Sequence, residues 1–224
     1  MNMETMVKIL FISDTHAQHD GMEKKWGMPN ADIIVHAGDF SGYGSENALR
    51  KFLKWYGNLN YKHKIFIAGN HDWIFERDRS WGIQLVNRYS KKYSKIHYLE
   101  DNGVELMGVK FYGTPVNRPF FDWAFNRPEE KMAQHWAAIP DDTDVLITHN
   151  PPYMIKDFSS GGSEEHCGSP SLYREVTERI KPDIHVFGHI HEQYGVSYIG
   201  ETTFINASNG YKLENPPILM GINV

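Results

Sequence analysis

The sequence predicts an α/β protein with two sheets, and three observations predict it. Five apolar runs, VKILFI, DIIVHA, KIFIA, DVLIT and DIHVF, are each followed within a few residues by His, Asp or Asn. Stripes of helical period separate the early runs, and short β runs crowd the second half. Short apolar runs bounded by turn residues are the mark of strands buried on both faces, and in open α/β sheets ligands gather beyond the carboxyl ends of such strands.

Strands are expected over 7–12 and 32–37. Ser45 can cap a helix, after which Leu49, Phe52, Leu53 and Tyr56 recur on one face. KIFIA (64–68) reads as a third strand and 79–93 as a further helix. GVELMGVKFYG (103–113) has the form of a hairpin, and DVLIT (144–148) is the fourth buried run. Residues 157–170, DFSSGGSEEHCGSP, read as a long flexible loop. Ser169 with Pro170 starts a helix, Leu172, Val176 and Ile180 continue it, and Lys181-Pro182 stops it. DIHVF (183–187) is the fifth buried run, while GVSYIGETTFIN (195–206) and ILMGINV (218–224) extend a second, more antiparallel sheet. No repeat, low-complexity tract or long linker divides the chain, so residues 1–224 are expected to form one domain.

A hydrophobic content of 41% over 224 residues suffices for a sizeable core. Cys167, the one cysteine, excludes an internal disulfide and any multi-thiolate metal site, and with no partner in sequence it is expected to be inert. The opening apolar run reaches Asp14 too soon for a secretory leader or a membrane span, so a soluble cytoplasmic protein with no membrane partner is expected. A formal charge of −5 argues against stable binding of duplex nucleic acid. A small phosphate compound stays compatible if metal ions supply the positive charge. Twelve histidines are the anomaly.

The donors at the strand ends are Asp14 and His16 in SDTH, Asp39 in AGDF, Asn70, His71 and Asp72 in GNHD, His149 in THNPP, and His189 and His191 in GHIH. All are nitrogen or oxygen donors, which suit Mn2+, Fe, Co2+, Zn2+ or Ni2+. Seven ligands including a carboxylate able to bridge would fill two adjacent sites, as in two-metal centres about 3.5–4 Å apart that serve phosphoryl displacement. Singly, each motif has a plainer explanation as a self-capped turn, a polar loop or a hydrogen-bonded core histidine. Their recurrence after successive strands is what that explanation does not produce. His36 and His185, inside strands just ahead of these blocks, are expected to hydrogen-bond or pack, and His135 to ride a helix with Met132 and Trp136.

The order Asp14-Thr15-His16, Gly38-Asp39, Gly69-Asn70-His71-Asp72, His149 and Gly188-His189-Ile190-His191 resembles the calcineurin-like metallophosphoesterase family, with its D-x-H, G-D, G-N-H-[DE], lone His and G-H-x-H blocks. VHAGDF, GTPVNRPFFDWAFNRP and HVFGHIHEQYG are similar to the branch of metallophosphoesterase-domain brain proteins and their bacterial and phage relatives. The resemblance implies a four-layer α/β-β-α sandwich, two mixed sheets flanked by helices. It implies that Asp14, His16 and His191 hold one divalent ion, that Asn70, His149 and His189 hold a second, and that Asp39 bridges them; the imidazole-rich set disfavours Mg2+ and makes Mn2+ the metal expected. His71 would stay free beside the leaving group, oriented by Asp72, while a hydroxide shared by the metals attacks phosphorus.

The substrate expected is a small phosphodiester, a cyclic or other nucleotide. Arg and Lys are missing from the residues that immediately follow Asp39, Asn70, His149 and His189, and Arg118 is the cation that comes into question. Phe40, Trp73, Phe121 and Tyr153, with the aromatic stretch 120–125, would supply an apolar wall beside His71. The competing functions are a phosphomonoesterase acting on nucleotides or proteins, a repair-type nuclease and a non-catalytic nucleotide-binding scaffold. The protein-phosphatase motif G-D-x-V-D-R-G is replaced here by GDFSGYG, and no ligand block is lost as a scaffold would allow. The sequence leaves a homodimer open.

Overall fold

The computed structural model describes residues 6–93, 95–160 and 165–224. The predicted alternation is present: β1 (Met6–Ile12), α1 (Met22–Trp26), β2 (Ile33–His36), α2 (Glu46–Asn58), β3 (His63–Phe66), α3 (Ile74–Arg77), α4 (Arg79–Tyr93) and β4 (Ile96–Tyr98). Then come β5 (Asn102–Leu106), β6 (Val109–Thr114), α5 (Glu129–Ala137), β7 (Val145–Thr148), β8 (Phe158–Ser159), β9 (Glu165–His166) and α6 (Pro170–Arg174). The chain closes with β10 (Ile184–Phe187), β11 (Gly195–Ile199), β12 (Thr202–Asn206) and β13 (Ile218–Asn223).

Among the described residues, five strands form one sheet in the order β13-β1-β2-β3-β4, and six form another in the order β11-β12-β10-β7-β6-β5. The pairs β1/β2, β2/β3 and β3/β4 are parallel, as are β6/β7, β7/β10 and β10/β12. Antiparallel pairing is confined to the margins, at β1/β13, β5/β6 and β11/β12. One expectation is corrected here: ILMGINV does not join the second sheet but returns to pair with β1 in the first. Without it β1 would be an edge strand, although Val7 and Ile9 to Ile12 are fully buried and need both sides covered.

Alternation along the strands builds three apolar layers. Leu10, Ile12 and Ile34 face Leu49, Phe52, Leu53 and Tyr56 of α2. Ile9, Phe11, Ile33 and Val35 face Val145, Ile147, Val186 and Ile205 of the other sheet. Leu146, Phe187 and Phe204 face Met132 and Trp136 of α5 and Leu172 of α6. The result is the helix, sheet, sheet, helix stack that the resemblance implied. Each large side chain buried in these layers contributes roughly 1.5–3 kcal/mol of transfer free energy.

The caps are those the sequence suggested: Ser45 Oγ accepts from Ala48 N at 3.2 Å, and Ser169 Oγ accepts from Leu172 N at 3.2 Å. Beyond α6 the backbone widens into a π-type turn over Glu175–Arg179. The loop of residues 157–170 carries a small hairpin, β8 paired with β9, and residues 161–164 lie outside the description. Among the described residues no helix is long and apolar enough to cross a membrane.

Candidate metal centre

Parallel pairing sends β1, β2 and β3 out at one margin of the first sheet, and β7 and β10 out at one margin of the second. The two margins meet. His189 N lies 3.1 Å from both carboxylate oxygens of Asp14, while within the second sheet Gly188 N donates to His149 O at 3.3 Å. Within the first sheet, Asp14 N donates to Gly38 O at 2.9 Å and His71 N donates to Asp39 Oδ1 at 2.8 Å.

This explains why the strands end in glycine. A Cβ on Gly69 would stand 2.3 Å from Asp39 Oδ1, and one on Gly188 would stand 2.1 Å from Asp14 Oδ2, so a side chain at either place would occupy the carboxylate's position. Asp14, His16, Asp39 and His189 all have positive φ, between 41° and 68°. Non-glycine residues held there store about 1–3 kcal/mol of strain each, and such strain gathers at functional sites.

Six of the seven predicted ligands, with His71, fall into three interlocking trios. Asp14, His16 and His191 offer donor atoms within 4.8 Å of one another, as do Asp39, His149 and His189, and as do His16, Asp39 and His71. Asn70 joins the second trio through Oδ1, 3.0 Å from His149 Nε2. Asp39 and His16 each belong to two trios, and Asp39 lies within reach of His16 of the first trio as well as of His149 and His189.

The electrostatics of this cluster ask for a cation. Asp14 and Asp39 are buried, and their ion-pair partners among the described residues are histidines, not Lys or Arg. Burial pushes both carboxyls up, yet the surrounding imidazoles more than offset it and hold both below the ordinary carboxylate range. Burial likewise pushes His149 down, but Asp39 draws it up to about 9, while burial and His149 drive neighbouring His189 down to about 3. His149 Nδ1 must donate to the Ala37 carbonyl at 2.8 Å, which leaves Nε2 facing two oxygens, Asn70 Oδ1 at 3.0 Å and Asp39 Oδ2 at 3.3 Å. Without a metal the raised pKa of His149 keeps a proton on Nε2 between these oxygens; once that proton leaves, one imidazole nitrogen and two oxygens converge on one point, a donor set that fits a metal ion.

His71 donates from Nδ1 to the Gly42 carbonyl at 2.7 Å, its Nε2 lies 3.9 Å from Asp39 Oδ2, and Trp123 packs on its ring at 4.2 Å between centroids. The expected partnership with Asp72 is corrected. The Asp72 carboxylate accepts from Gly69 N, Ser41 N and Ser41 Oγ at 2.9, 3.0 and 2.7 Å and knits two loops together, while Gly42 orients the imidazole. Burial, then Asp39, raises the Asp72 carboxyl to about 8.

A pocket of about 300 Å3 opens on Asp39, Asn70, His71, His189 and His191. Phe120, Glu192 and Tyr211 complete its wall together with Ser159, Cys167 and Ile190. Motif reading did not select Glu192 or Tyr211; the adjacency of Glu192 to His191 was the one available signal. Phe120 also borders an outer hollow of about 560 Å3 that Trp73 and Phe121 share with Tyr43, Asp122 and Trp123. A hollow of about 620 Å3 along α4, beside Trp81, Arg88 and Lys91, contains none of the predicted donors.

Two aromatic assignments are corrected. Phe40 is fully buried and stacks on Phe52 at 4.3 Å in the core, because the turn at Asp39 directs the next side chain back beneath the sheet. Phe125 is buried as well. Tyr153 is half-exposed against His166 on the β8–β9 hairpin and lines neither the pocket nor the aromatic hollow. Arg118 is occupied as a strut, with Nη1 donating to the carbonyls of His166 and Gly168, each at 3.1 Å. His36 and His185 bond Thr15 and Thr148 at 3.0 and 2.9 Å, the bracing role expected, and His135 lies on α5 with Met132 and Trp136. Burial raises the Cys167 thiol.

Comparison with known proteins agrees with this fold. A family model described as calcineurin-like phosphoesterase matches residues 7–193. Metallophosphoesterase domain-containing protein 1 of Homo sapiens is 35% identical, with 96% of this chain and 71% of that protein aligned. A UPF0046 protein of Caenorhabditis elegans is 36% identical over 96% of this chain and 75% of its own length. Among solved structures, the TT1561 protein of Thermus thermophilus superposes with a TM-score of 0.69 at 14% identity, covering 98% of this chain and 99% of that one. The phosphopantetheinyl hydrolase of Mycobacterium tuberculosis gives 0.64 at 17% identity, covering 92% and 90%. At such identities the two structures speak for the fold alone.

Proposed function

The chain belongs to the calcineurin-like phosphoesterase family, whose fold serves metal-dependent phosphoester hydrolysis, and from that premise we propose that it hydrolyses small phosphodiesters, cyclic nucleotides among them. The observation that carries the preference for diesters is the lining of the pocket: among the described residues it holds two carboxylates, Asp39 and Glu192, and no Arg or Lys. A phosphomonoester dianion would call for fixed cations there, and Arg118 is engaged by backbone carbonyls. A diester needs less cationic clamping and room for a second substituent, for which the aromatic hollow beside Phe120 and Trp123 is suited.

In this reading Asp14, His16 and His191 hold one divalent ion and Asn70, His149 and His189 the other, with Asp39 common to both and Mn2+ favoured by the mixed imidazole and carboxylate set. Bound there, divalent ions supply Lewis-acid charge to phosphate oxygens and make water a nucleophile near neutral pH. His71 carries a proton on Nε2 to the departing oxygen, its tautomer set by Gly42, and Trp123 packs the ring so that it keeps that direction. Trp73 and Phe121 receive the substituent. The whole chain acts as one domain, and the lone Cys167 suits a reducing, cytoplasmic setting.

The test compares kcat/KM for bis(p-nitrophenyl) phosphate and p-nitrophenyl phosphate with Mn2+ present, after chelation has abolished activity. The diester should be preferred; a monoester preference of about tenfold or more would replace this reading with a phosphatase one. Asp39→Asn should lose more activity than any other ligand substitution and should lower metal content at both positions. Retention of two metals and near-normal rates in that variant would show that Asp39 does not bridge.

A further inference from the structure

A metal-binding imidazole is usually aimed by a hydrogen bond at its second nitrogen. His149 follows this pattern through Ala37 O, and His71 has the comparable bond to Gly42 O. His16 departs from it. Its Nε2 lies 3.2 Å from His191 Nε2, yet its buried Nδ1 has no hydrogen-bond partner among the described residues. The ring is clasped instead. Tyr211 stacks on one face at 4.2 Å and 26°, and His71 meets it nearly edge-on at 4.7 Å and 80°. Tyr211 also touches His191, at 4.7 Å and 65°.

The loop carrying Tyr211 is anchored at both ends. Asn209 exchanges two hydrogen bonds with Ser13, the residue before Asp14, at 2.8 and 3.2 Å. Two residues after Tyr211, Leu213 is buried in the core, and its carbonyl accepts from Trp26 Nε1 at 2.9 Å. Tyr211 itself is 57% exposed, so its ring adds little to the core, and the rings it packs on are those of His16 and His191.

We propose that Tyr211 is a positioning residue for the metal centre: its ring holds the His16 imidazole with Nε2 toward His191, in place of the hydrogen bond that His16 lacks. This rests on His16 being a metal ligand, as proposed above. The aromatic face is the active part, and the hydroxyl is dispensable.

The experiment titrates Co2+ into metal-free protein, read by calorimetry and by visible absorbance, for the wild type and for Tyr211→Leu, Tyr211→Phe and His16→Ala. Tyr211→Leu should weaken one of the two metal equivalents roughly 10-fold, at the lower end of the usual cost of losing a ligand's supporting partner, and should leave the other within about twofold. Tyr211→Phe should bind as the wild type does. In chelator, all Tyr211 variants should unfold at the same urea midpoint. Unchanged affinity in Tyr211→Leu, equal weakening of both equivalents, or a Phe variant as weak as the Leu variant overturns the proposal. His16→Ala should lose one equivalent; if it still takes up two, the ligand reading of His16 fails and the Tyr211 proposal with it.

Discussion

His71 commits Nδ1 to the Gly42 carbonyl, which can only accept, so Nε2 is the atom left to exchange a proton. That same atom lies 3.9 Å from Asp39 Oδ2, and His71 shares a trio with His16 and Asp39, so geometry alone allows a ligand as well as an acid. The two roles separate by measurement. His71→Gln should keep its metal content and lower turnover by roughly 10²–10⁴-fold, with a smaller loss for esters of p-nitrophenol, whose departure needs less protonation. Loss of metal in that variant, read by elemental analysis, would make His71 a ligand. The order of residues in GNHD announced that something chemical happens after β3, but not which group would aim the imidazole. Asp72 is the neighbour in sequence, yet its carboxylate turns inward to Ser41 and Gly69, and Gly42 approaches from another strand's loop.

At the scale of elements, the strand ends are built for close approach between the two sheets. Gly188, leaving β10, passes so near β1's exit that a methyl group there would lie 2.1 Å from Asp14 Oδ2 and 2.2 Å from Ser13 Oγ. Gly188→Ala should therefore displace the Asp14 carboxylate, weaken metal binding and cost about 1–3 kcal/mol of stability, the usual penalty for overpacking. Urea unfolding with and without metal checks both; a variant with wild-type midpoint and metal content would show that the sheets can part at no cost. Element positions and caps were readable because they depend on local pattern: α4 spans the residues 79–93 expected to be helical, and Ser45 caps α2 as its place before that helix's stripe suggested. The pairing of β13 with β1 was not, since a short apolar strand carries no mark of the sheet it will complete.

Across the whole molecule, several histidines are carried neutral in the apolar layers. Burial pushes His185 and His36 down to about 3 and His19 to about 4, from an ordinary value of 6.5. A histidine whose folded pKa is depressed favours folding above its unfolded pKa and loses that contribution as pH falls below it. Stability of the metal-free protein should thus decline from about pH 6.5 downward, at up to roughly 1.4 kcal/mol per pH unit for each such histidine. His185→Gln should remove one histidine's share of that slope. Urea titrations in chelator across this range give the slope; identical slopes in wild type and variant would mean that His185 is solvated enough to take a proton while folded.

The alternation of strands and helices, the caps, and the donors that gather at the strand ends are legible in the amino-acid order, because each is written in local spacing: a period of two or 3.6, or a short motif placed after an apolar run. Tertiary structure decided what depends on the direction of a side chain after an unusual backbone turn, or on chain segments far apart. The positive φ at Asp39 precedes a Phe40 ring turned into the core, away from the substrate pocket where its sequence position had placed it. Tyr211 reaches His16 across 195 residues of chain only because Asn209 fastens its loop to Ser13, a contact no spacing rule contains. The donors are local consequences of the strands, whereas the groups that aim them are consequences of how the two sheets meet.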